Sequence, residues 1–310
     1  MSELSKEKFQ IIGCENSNAD EILRPNITYW QDAWRRLKQN KVAIASLIIL
    51  VLIIFITIFG PMITKFSFEA MDTSNINQSP NKVHWFGTDM LGRDLFARVT
   101  KGGRISIIIA FFGAIIDTFV GVIYGGISGY FGGIVDDIMM RIVEILSSIP
   151  YLIVVILISI LFSELQIKGA ILPLIIAMTI TGWVGMARLV RGQILQIKEQ
   201  EYVLAAQALG ANSNRIILKH LIPNTIGVMI VAITFDIPSF IFGEAFLSYI
   251  GLGVKSPNTS WGALAQSGQQ NMKFYPYQLF FPALFISLTM LSFNLLGDGL
   301  RDALDPKLRQ

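Results

Sequence analysis

The sequence predicts an all-α membrane protein built on six transmembrane helices, and three observations carry that expectation. Of 310 residues, 53% are hydrophobic and only 15% charged, an unsuitable balance for a water-soluble chain of this length. Several apolar runs reach the roughly 20 residues a helix needs to cross a bilayer. These runs are long and continuous rather than short and alternating, which selects helices over a closed β-barrel.

The N-terminal tail, residues 1–40, is polar up to residue 26 and carries the chain's single cysteine, Cys14, so no internal disulfide can form. Within it, Thr28 to Asn40 reads as an interfacial helix. Trp30, Trp34 and Leu37 recur at four- and three-residue spacing, and Arg35, Arg36, Lys38 and Lys41 form a basic membrane flank. Residues 41–64 form the first span, and Val42 to Thr64 carries no charge. About 40 residues precede it and it is too long for a signal-peptide core, so it is read as a retained helix.

Residues 65–103 form a loop between spans. It contains HWFGTDMLGRDLFARVTKGGR, residues 84 to 104. Thr88 or Asp89 is expected to cap a short helix there, with Asp89–Arg93 and Asp94–Arg98 as four-spaced surface pairs. His84, Asp89 and Asp94 make a poor metal or catalytic set, because one histidine without a second ligand nearby is weak zinc chemistry.

A five-helix core, residues 104–301, follows. Ile105 to Val135 carries only Asp117. Gly121, Gly125, Gly129 and Gly133 recur every fourth residue, a stripe suited to close helix packing or, alternatively, to lining a substrate groove. Ile138 to Phe162 is the third span, with Asp136, Asp137, Arg141 and Glu144 spaced for pairs on one helix. Gly169 to Ala187 is the fourth, ended by Arg188 and Arg191 where cations suit the helix dipole and the inner leaflet. Leu221 to Val254 and Phe274 to Gly297 complete the set, and residues 302–310 form a C-terminal tail.

Between the fourth and fifth spans lies EYVLAAQALGANSNRIILKHLIP, residues 201–223. Glu201 to Leu209 uses strong helix formers, Gly210 supplies a stop, and Asn212 or Ser213 can cap a second helix. Pro223 is expected to break that helix as it meets the membrane. The two short helices form a knob fit for a groove on another protein, though an ordinary linker has the same spacing.

Six spans place both termini and residues 201–223 on one side. That side holds about 16 of the 25 Lys and Arg residues and the other about 9, which puts the termini in the cytosol.

Several chemistries are excluded. A net charge of +3 is too small to suggest nucleic acid. ATP hydrolysis needs a GxxxxGK[ST] phosphate cradle, and no Gly-Lys pair occurs in the chain. Neither His84 nor His220 accompanies a GxSxG elbow, so no enzyme activity, cofactor or metal is expected. Charges at membrane depth are functional candidates by default, and Asp117, Asp236 and Glu244 qualify as a translocation path. Asp236 and Glu244 lie eight residues apart with Pro238 expected to break the helix between them.

The 201–223 stretch resembles the coupling loop of binding-protein-dependent ABC importer permeases, whose pattern is Glu-Ala-Ala, three residues, Gly, then a distant Leu-Pro. Ala205, Ala206, Gly210 and Pro223 match, while Leu204 stands for the family's frequent Glu and Ile222 for Leu. Gly87-Thr88-Asp89 with Gly92-Arg93-Asp94, and WGALAQSGQ at residues 261 to 269, resemble external elements of the C-type subunits of oligopeptide and dipeptide permeases. The resemblance implies a type I ABC importer permease fold with a cytosolic coupling helix. Glu201, Tyr202, Ala205, Ala206, Gly210 and Pro223 would make the ATPase contact. It further implies a second related permease, two cytosolic ATPase subunits that bind ATP, and an extracytoplasmic peptide-binding lipoprotein, all gathered in membrane lipid. Dipeptide or nickel import stays open. The alternative from another class is an ion-coupled carrier working alone through Asp117, Asp236 and Glu244.

Overall fold

The computed structural model describes residues 28–165, 171–254 and 256–305, so the expectations for Cys14 and for residues 306–310 lie outside the described residues. The described chain is helical, and its one β feature is an isolated antiparallel bridge between Thr88 and Asp94. The helices are α1 (Tyr29–Gln39), α2 (Lys41–Ile63), α3 (Leu95–Phe131), α4 (Gly133–Ser148), α5 (Tyr151–Glu164) and α6 (Leu172–Gly182). They continue with α7 (Val184–Ile197), α8 (Glu201–Ala208), α9 (Ser213–Ile216), α10 (Ile222–Tyr249), α11 (Trp261–Gln270) and α12 (Tyr277–Leu304). A five-residue π turn, Ile217–Leu221, joins α9 to α10.

Four helical stretches are long and apolar enough to cross a membrane unaided, and two bent pairs raise the number to six. The third run is not the single helix expected from Ile138 to Phe162. It breaks between α4 and α5 with an 80° bend. Pro150 explains this, because a residue before proline is driven out of the helical region, and Ile149 is extended at φ −90°, ψ 127°. The fourth run bends by 42° between α6 and α7 and stays helical to Ile197, so Arg188 and Arg191 lie within α7 rather than at its end.

Two prolines expected to break helices do not. Pro223 falls in the first turn of α10 within a helical run from Ser213 to Tyr249, and the π turn Ile217–Leu221 directly before it, where the Ile222 N–H donates to Ile217 O, accommodates the missing N–H. Pro238 lies inside α10, which runs unbroken from Ile222 to Tyr249.

The loop before α3 also differs from expectation. No separate short helix follows Thr88 or Asp89; the loop's short helical turn is the 3-10 segment Thr73–Asn75, capped by Asp72. Asp94, not Thr88 or Asp89, is the N-cap, accepting from the Ala97 N–H at 2.7 Å, and the helix it starts continues as α3 for 37 residues. The boundary placed at residue 103 therefore falls inside one helix, whose Gly102 and Gly103 allow α11 to approach closely at Ser260 and Trp261. With Asp94 Oδ1 capping and Oδ2 2.8 Å from His84 Nδ1, Arg98 turns instead to Asp89, which also accepts from Arg93 Nε at 2.8 Å. Asp89 and Asp94 are buried rather than on the surface. Burial alone would push the Asp89 carboxyl up. Arg98, the Arg93 and Leu91 N–H groups, and the Arg93 guanidinium outweigh it and hold the carboxyl below its ordinary value.

α3 is the central post, about 55 Å long at 1.5 Å per residue. Its first half packs with α2, α11 and α12 around Val99, Trp261, Leu264 and Phe285. Its middle meets α6 and α10 around Ile109, Met178 and Ile241. Its last turns lie on α7. At that same end α1 packs on α12, with the Tyr29 hydroxyl donating to Leu304 O at 3.1 Å, and Leu37 is buried while Trp30 and Trp34 stay half exposed. The described ends of the chain and α8 thus share one end of the bundle, opposite the 65–94 loop.

Candidate functional site

α8 protrudes from the end of the bundle, and its termination follows from residue chemistry. Gly210 adopts φ +81°, the left-handed region that favours glycine. Its N–H donates to Gln207 O at 2.9 Å and the Ala211 N–H donates to Ala206 O at 3.0 Å, the paired bonds of a Schellman stop. A Cβ on Gly210 would meet nothing within 4 Å, so the requirement is conformational and not steric. Asn212 then caps α9 by accepting from the Arg215 N–H at 2.9 Å.

One side of this helical pair is anchored. Val203, Ile216 and Leu221 are buried with Val190 and Ile194 of α7. The other side is bare. Glu201, Tyr202 and Ala205 are exposed there and Pro223 is exposed at the start of α10, whereas Ala206, three residues from Val203, is half-buried at the edge of the anchored side. Sequence reasoning missed the apolar residues on this surface: Leu204 is 51% exposed, Leu218 67% and Leu209 89%. The available signal was leucine in a segment otherwise read for its small residues. These exposed leucines, with the small residues beside them, form an apolar patch on the outer surface of the helical pair.

The anchor reaches the bundle through α7. A Cβ on Gly121 would stand 2.6 Å from Met186 Cβ, one on Gly129 would stand 2.9 Å from Ile194 Cβ, and one on Gly125 would collide with the Ala187 carbonyl oxygen. Three glycines of the stripe therefore seat α7 directly on the α3 backbone. Gly133 does not belong with them. It begins α4 at φ +53° and faces open space, because the helix ends at Phe131 before the spacing completes.

Ionic contacts lock the same junction. Asp136 was expected to pair along its own helix. It instead accepts from Arg191 Nε at 2.6 Å and from the Ser128 hydroxyl, joining α3, α4 and α7. Lys198 donates to Gly129 O at 3.1 Å and Arg188 to the Ser147 hydroxyl at 2.8 Å. Only Arg141 and Glu144 pair within α4, at 2.7 Å. Arg191→Gln is expected to cost about 1.5–3 kcal/mol, the range for a hydrogen bond to a charged group. The double variant with Asp136→Asn should recover part of that loss. Thermal midpoints of the four proteins check this, and additive losses would show that the two residues do not interact.

The three intramembrane carboxylates do not form one group. Glu244 is fully buried and accepts from the hydroxyls of Ser106 at 2.7 Å and Ser248 at 2.6 Å. Ser106 in turn accepts from the Trp261 N–H at 3.2 Å, so Glu244 ties α10, α3 and α11 together. Asp117, 3% exposed, lies against Gly182 at the α6–α7 bend, where any side chain would strike its carboxylate. Its Oδ1 makes no hydrogen bond among the described residues. Asp236 is half-buried and close enough to Asp117 to act on it electrostatically. Among the described residues no group of three or more His, Cys, Asp or Glu could hold a metal ion.

Comparison with known proteins adds independent findings. Residues 120–310 match the model for the binding-protein-dependent transport system inner membrane component, and residues 28–80 match that for the N-terminal transmembrane domain of oligopeptide transport permease C. The chain is 49% identical to the oligopeptide transport system permease protein OppC of Bacillus subtilis (strain 168), over 100% of both chains. It is 51% identical to the dipeptide transport system permease protein DppC of the same organism, over 96% of this chain and 91% of that one. It is 45% identical to OppC of Escherichia coli (strain K12), over 90% of this chain and 92% of that one. The solved inward-facing MetNI methionine ABC transporter aligns at TM-score 0.52 and 18% identity, covering 67% of this chain and 96% of that chain, which shows a shared fold.

Proposed function

The chain belongs to the family of binding-protein-dependent transport system inner membrane components, and on that premise we propose that it is a membrane subunit of an ATP-driven oligopeptide importer. The observation that carries the mechanism is the exposed α8 knob fixed rigidly to α7, and through the Gly121–Gly125–Gly129 contact to α3. In this reading the knob lies in the cytosol with both termini and fits a groove on an ATPase subunit. Glu201, Tyr202, Ala205 and Ala206 form the contact, Gly210 sets its turn, and Pro223 starts the helix leading back into the membrane. ATP-driven closure of two such ATPases pulls α8. α7 and α3 then move as one body, and the path at the interface with a second, related permease changes its open side. Peptide arrives from an extracytoplasmic binding protein. This chain supplies neither ATP site nor catalytic residue to the cycle.

The oligopeptide reading rests on the 28–80 match and on the OppC relative that aligns over 100% of both chains, and the 51% identity to DppC keeps dipeptides within the proposed substrate class. The carrier alternative loses its basis with Glu244, whose oxygens are occupied by serine hydroxyls inside a helix junction. Asp117 and Asp236 are assigned to the moving boundary between α3, the α6–α7 bend and α10, not to proton transfer.

Uptake of labelled peptide by reconstituted vesicles tests the assignment. Transport is expected to require internal ATP and to survive collapse of the proton gradient. Uptake in ATP-free vesicles driven by an imposed pH gradient would overturn it, and Asp117 and Asp236 would be the first residues to substitute.

A further inference from the structure

Where α2 ends and α3 begins, at the end of the bundle opposite α8, a cavity of about 290 Å³ opens at the surface. Ile63, Lys65, Lys82, Trp85, Asp94 and Phe96 are among the residues that line it. Both lysines are exposed, and neither makes an ion pair or hydrogen bond among the described residues. Two flexible ammonium groups on one cavity, neither held by an acid, are free to meet an anion there.

The other charges nearby do not remove that opportunity. Among the described residues that line the cavity, Asp94 is the one acid, and both its oxygens are engaged. Oδ1 accepts from the Ala97 N–H at 2.7 Å, and Oδ2 lies 2.8 Å from His84 Nδ1. Asp94 offsets one lysine and leaves the wall one positive charge in excess. Beyond the wall, the Asp72 carboxylate accepts from the Ser74 N–H at 2.9 Å and from Asn75 Nδ2 at 2.7 Å. Exposed Glu69 is matched in sign by Lys101, which lies 5.1 Å from the Phe68 ring centre. α2 presents its C-terminus to the cavity and α3 its N-terminus, so the half-charges of the two helix dipoles oppose each other.

The surroundings say what carries the anion. Ile63 closes the α2 span and also lines the cavity. Met62 is 78% exposed and Ile63 55%, and Phe59 is exposed one turn earlier. Only 28% of the most apolar stretch of α2 is buried in the bundle, so this helix shows the membrane an apolar surface up to the cavity wall. Trp85 is exposed on that wall, and tryptophan is enriched where hydrocarbon gives way to headgroups. A soluble anion would have no use for the apolar strip, whereas a lipid uses both parts.

We propose that this cavity binds the phosphodiester of an anionic phospholipid, with Lys65 and Lys82 each donating to one of its non-bridging oxygens and the acyl chains lying along Phe59, Met62 and Ile63. The single excess charge of the wall matches the single charge of the phosphodiester, and a choline headgroup would cancel that match. The site is independent of what the chain transports.

The test titrates the complete transporter in neutral detergent with phosphatidylglycerol, phosphatidylcholine or inorganic phosphate, and native mass spectrometry reads the fraction carrying each. Phosphatidylglycerol is expected to bind more tightly than phosphatidylcholine. Lys65→Gln and Lys82→Gln should each weaken it about fivefold, and the pair about thirtyfold, the usual worth of a lysine at an anionic membrane surface. Lys82→Arg should retain binding. Lys273→Gln removes an exposed lysine from the turn between α11 and α12, off the cavity wall, and should change nothing. Thermal midpoints near that of the parent confirm that the variants are folded. Unchanged phosphatidylglycerol binding in the double variant, or an equal loss in Lys273→Gln, would overturn the site. Inorganic phosphate that binds through the two lysines while phosphatidylglycerol ignores them would overturn the lipid assignment.

Discussion

Gly125→Leu is expected to abolish accumulation of the assembled protein. A Cβ at this position already meets the Ala187 carbonyl oxygen and would stand 3.0 Å from the Arg191 N–H nitrogen. Both obstacles are backbone, so no rotamer change relieves them and α7 must move away from α3. Overpacking costs about 1–3 kcal/mol when side chains can adjust, and this site lies at or above the top of that range. Separation of the helices would also pull Arg191 from Asp136 and Lys198 from Gly129, which removes the anchor of α8. Gly126→Ala is the matched control, because a Cβ there meets no atom within 4 Å. Membrane fractions probed for the chain and for its partners check both variants. A Gly125→Leu protein that assembles and transports like the parent would show that the two helices are not held by this contact.

Ala206→Arg is expected to leave the membrane bundle folded and uncouple it from ATP. Residue 206 lies outside the candidate spans, half-buried at the edge of the α8 face that Val203 anchors, where a long side chain can extend outward past that edge. A long charged side chain beside Leu209 would have to be buried in an apolar groove without a partner. Central interface positions of this kind cost about 2 kcal/mol or more, roughly thirtyfold in affinity for the ATPase. Transport-coupled ATP hydrolysis should fall with it, while the thermal midpoint of the isolated chain stays near that of the parent. A large loss of midpoint with normal ATPase binding would place α8 in the fold and not in the contact.

What could be read from the chain divides along a physical line. Properties of continuous segments were legible: the apolar runs, the glycine repeat, and the stop and restart at Gly210 and Asn212 all follow from residues close in sequence. Pairings across the bundle were not. Asp136 has charged neighbours at helical spacing, yet Arg191, 55 residues away, holds it, because α3–α7 packing brings the two together. Asp94 could serve either as surface partner of Arg98 or as a cap, and the cap prevailed because α3 begins there and leaves N–H groups to satisfy.

Prolines were misread in both directions for a similar reason. Pro150 breaks its run because the residue before it must be extended, whereas Pro223 is accommodated in a helical run because the π turn Ile217–Leu221 directly before it shifts the backbone bonding. The residue type alone does not say where the first turn lies. The α8 knob shows the same limit. Its small residues and turn were visible, but the exposure of Leu209 required the orientation fixed by Val203 and Ile216.

The most direct measurement of the central claim is crosslinking from residue 206. Cys14 is the chain's single cysteine, so a Cys14→Ser background leaves Ala206→Cys as its only thiol. In membranes containing the complete transporter, the account predicts a crosslink from 206 to a cytosolic ATPase subunit, a yield that changes with ATP, and none to the external binding protein. Absence of any ATPase crosslink, together with normal uptake by Ala206→Arg, would contradict the account at its centre.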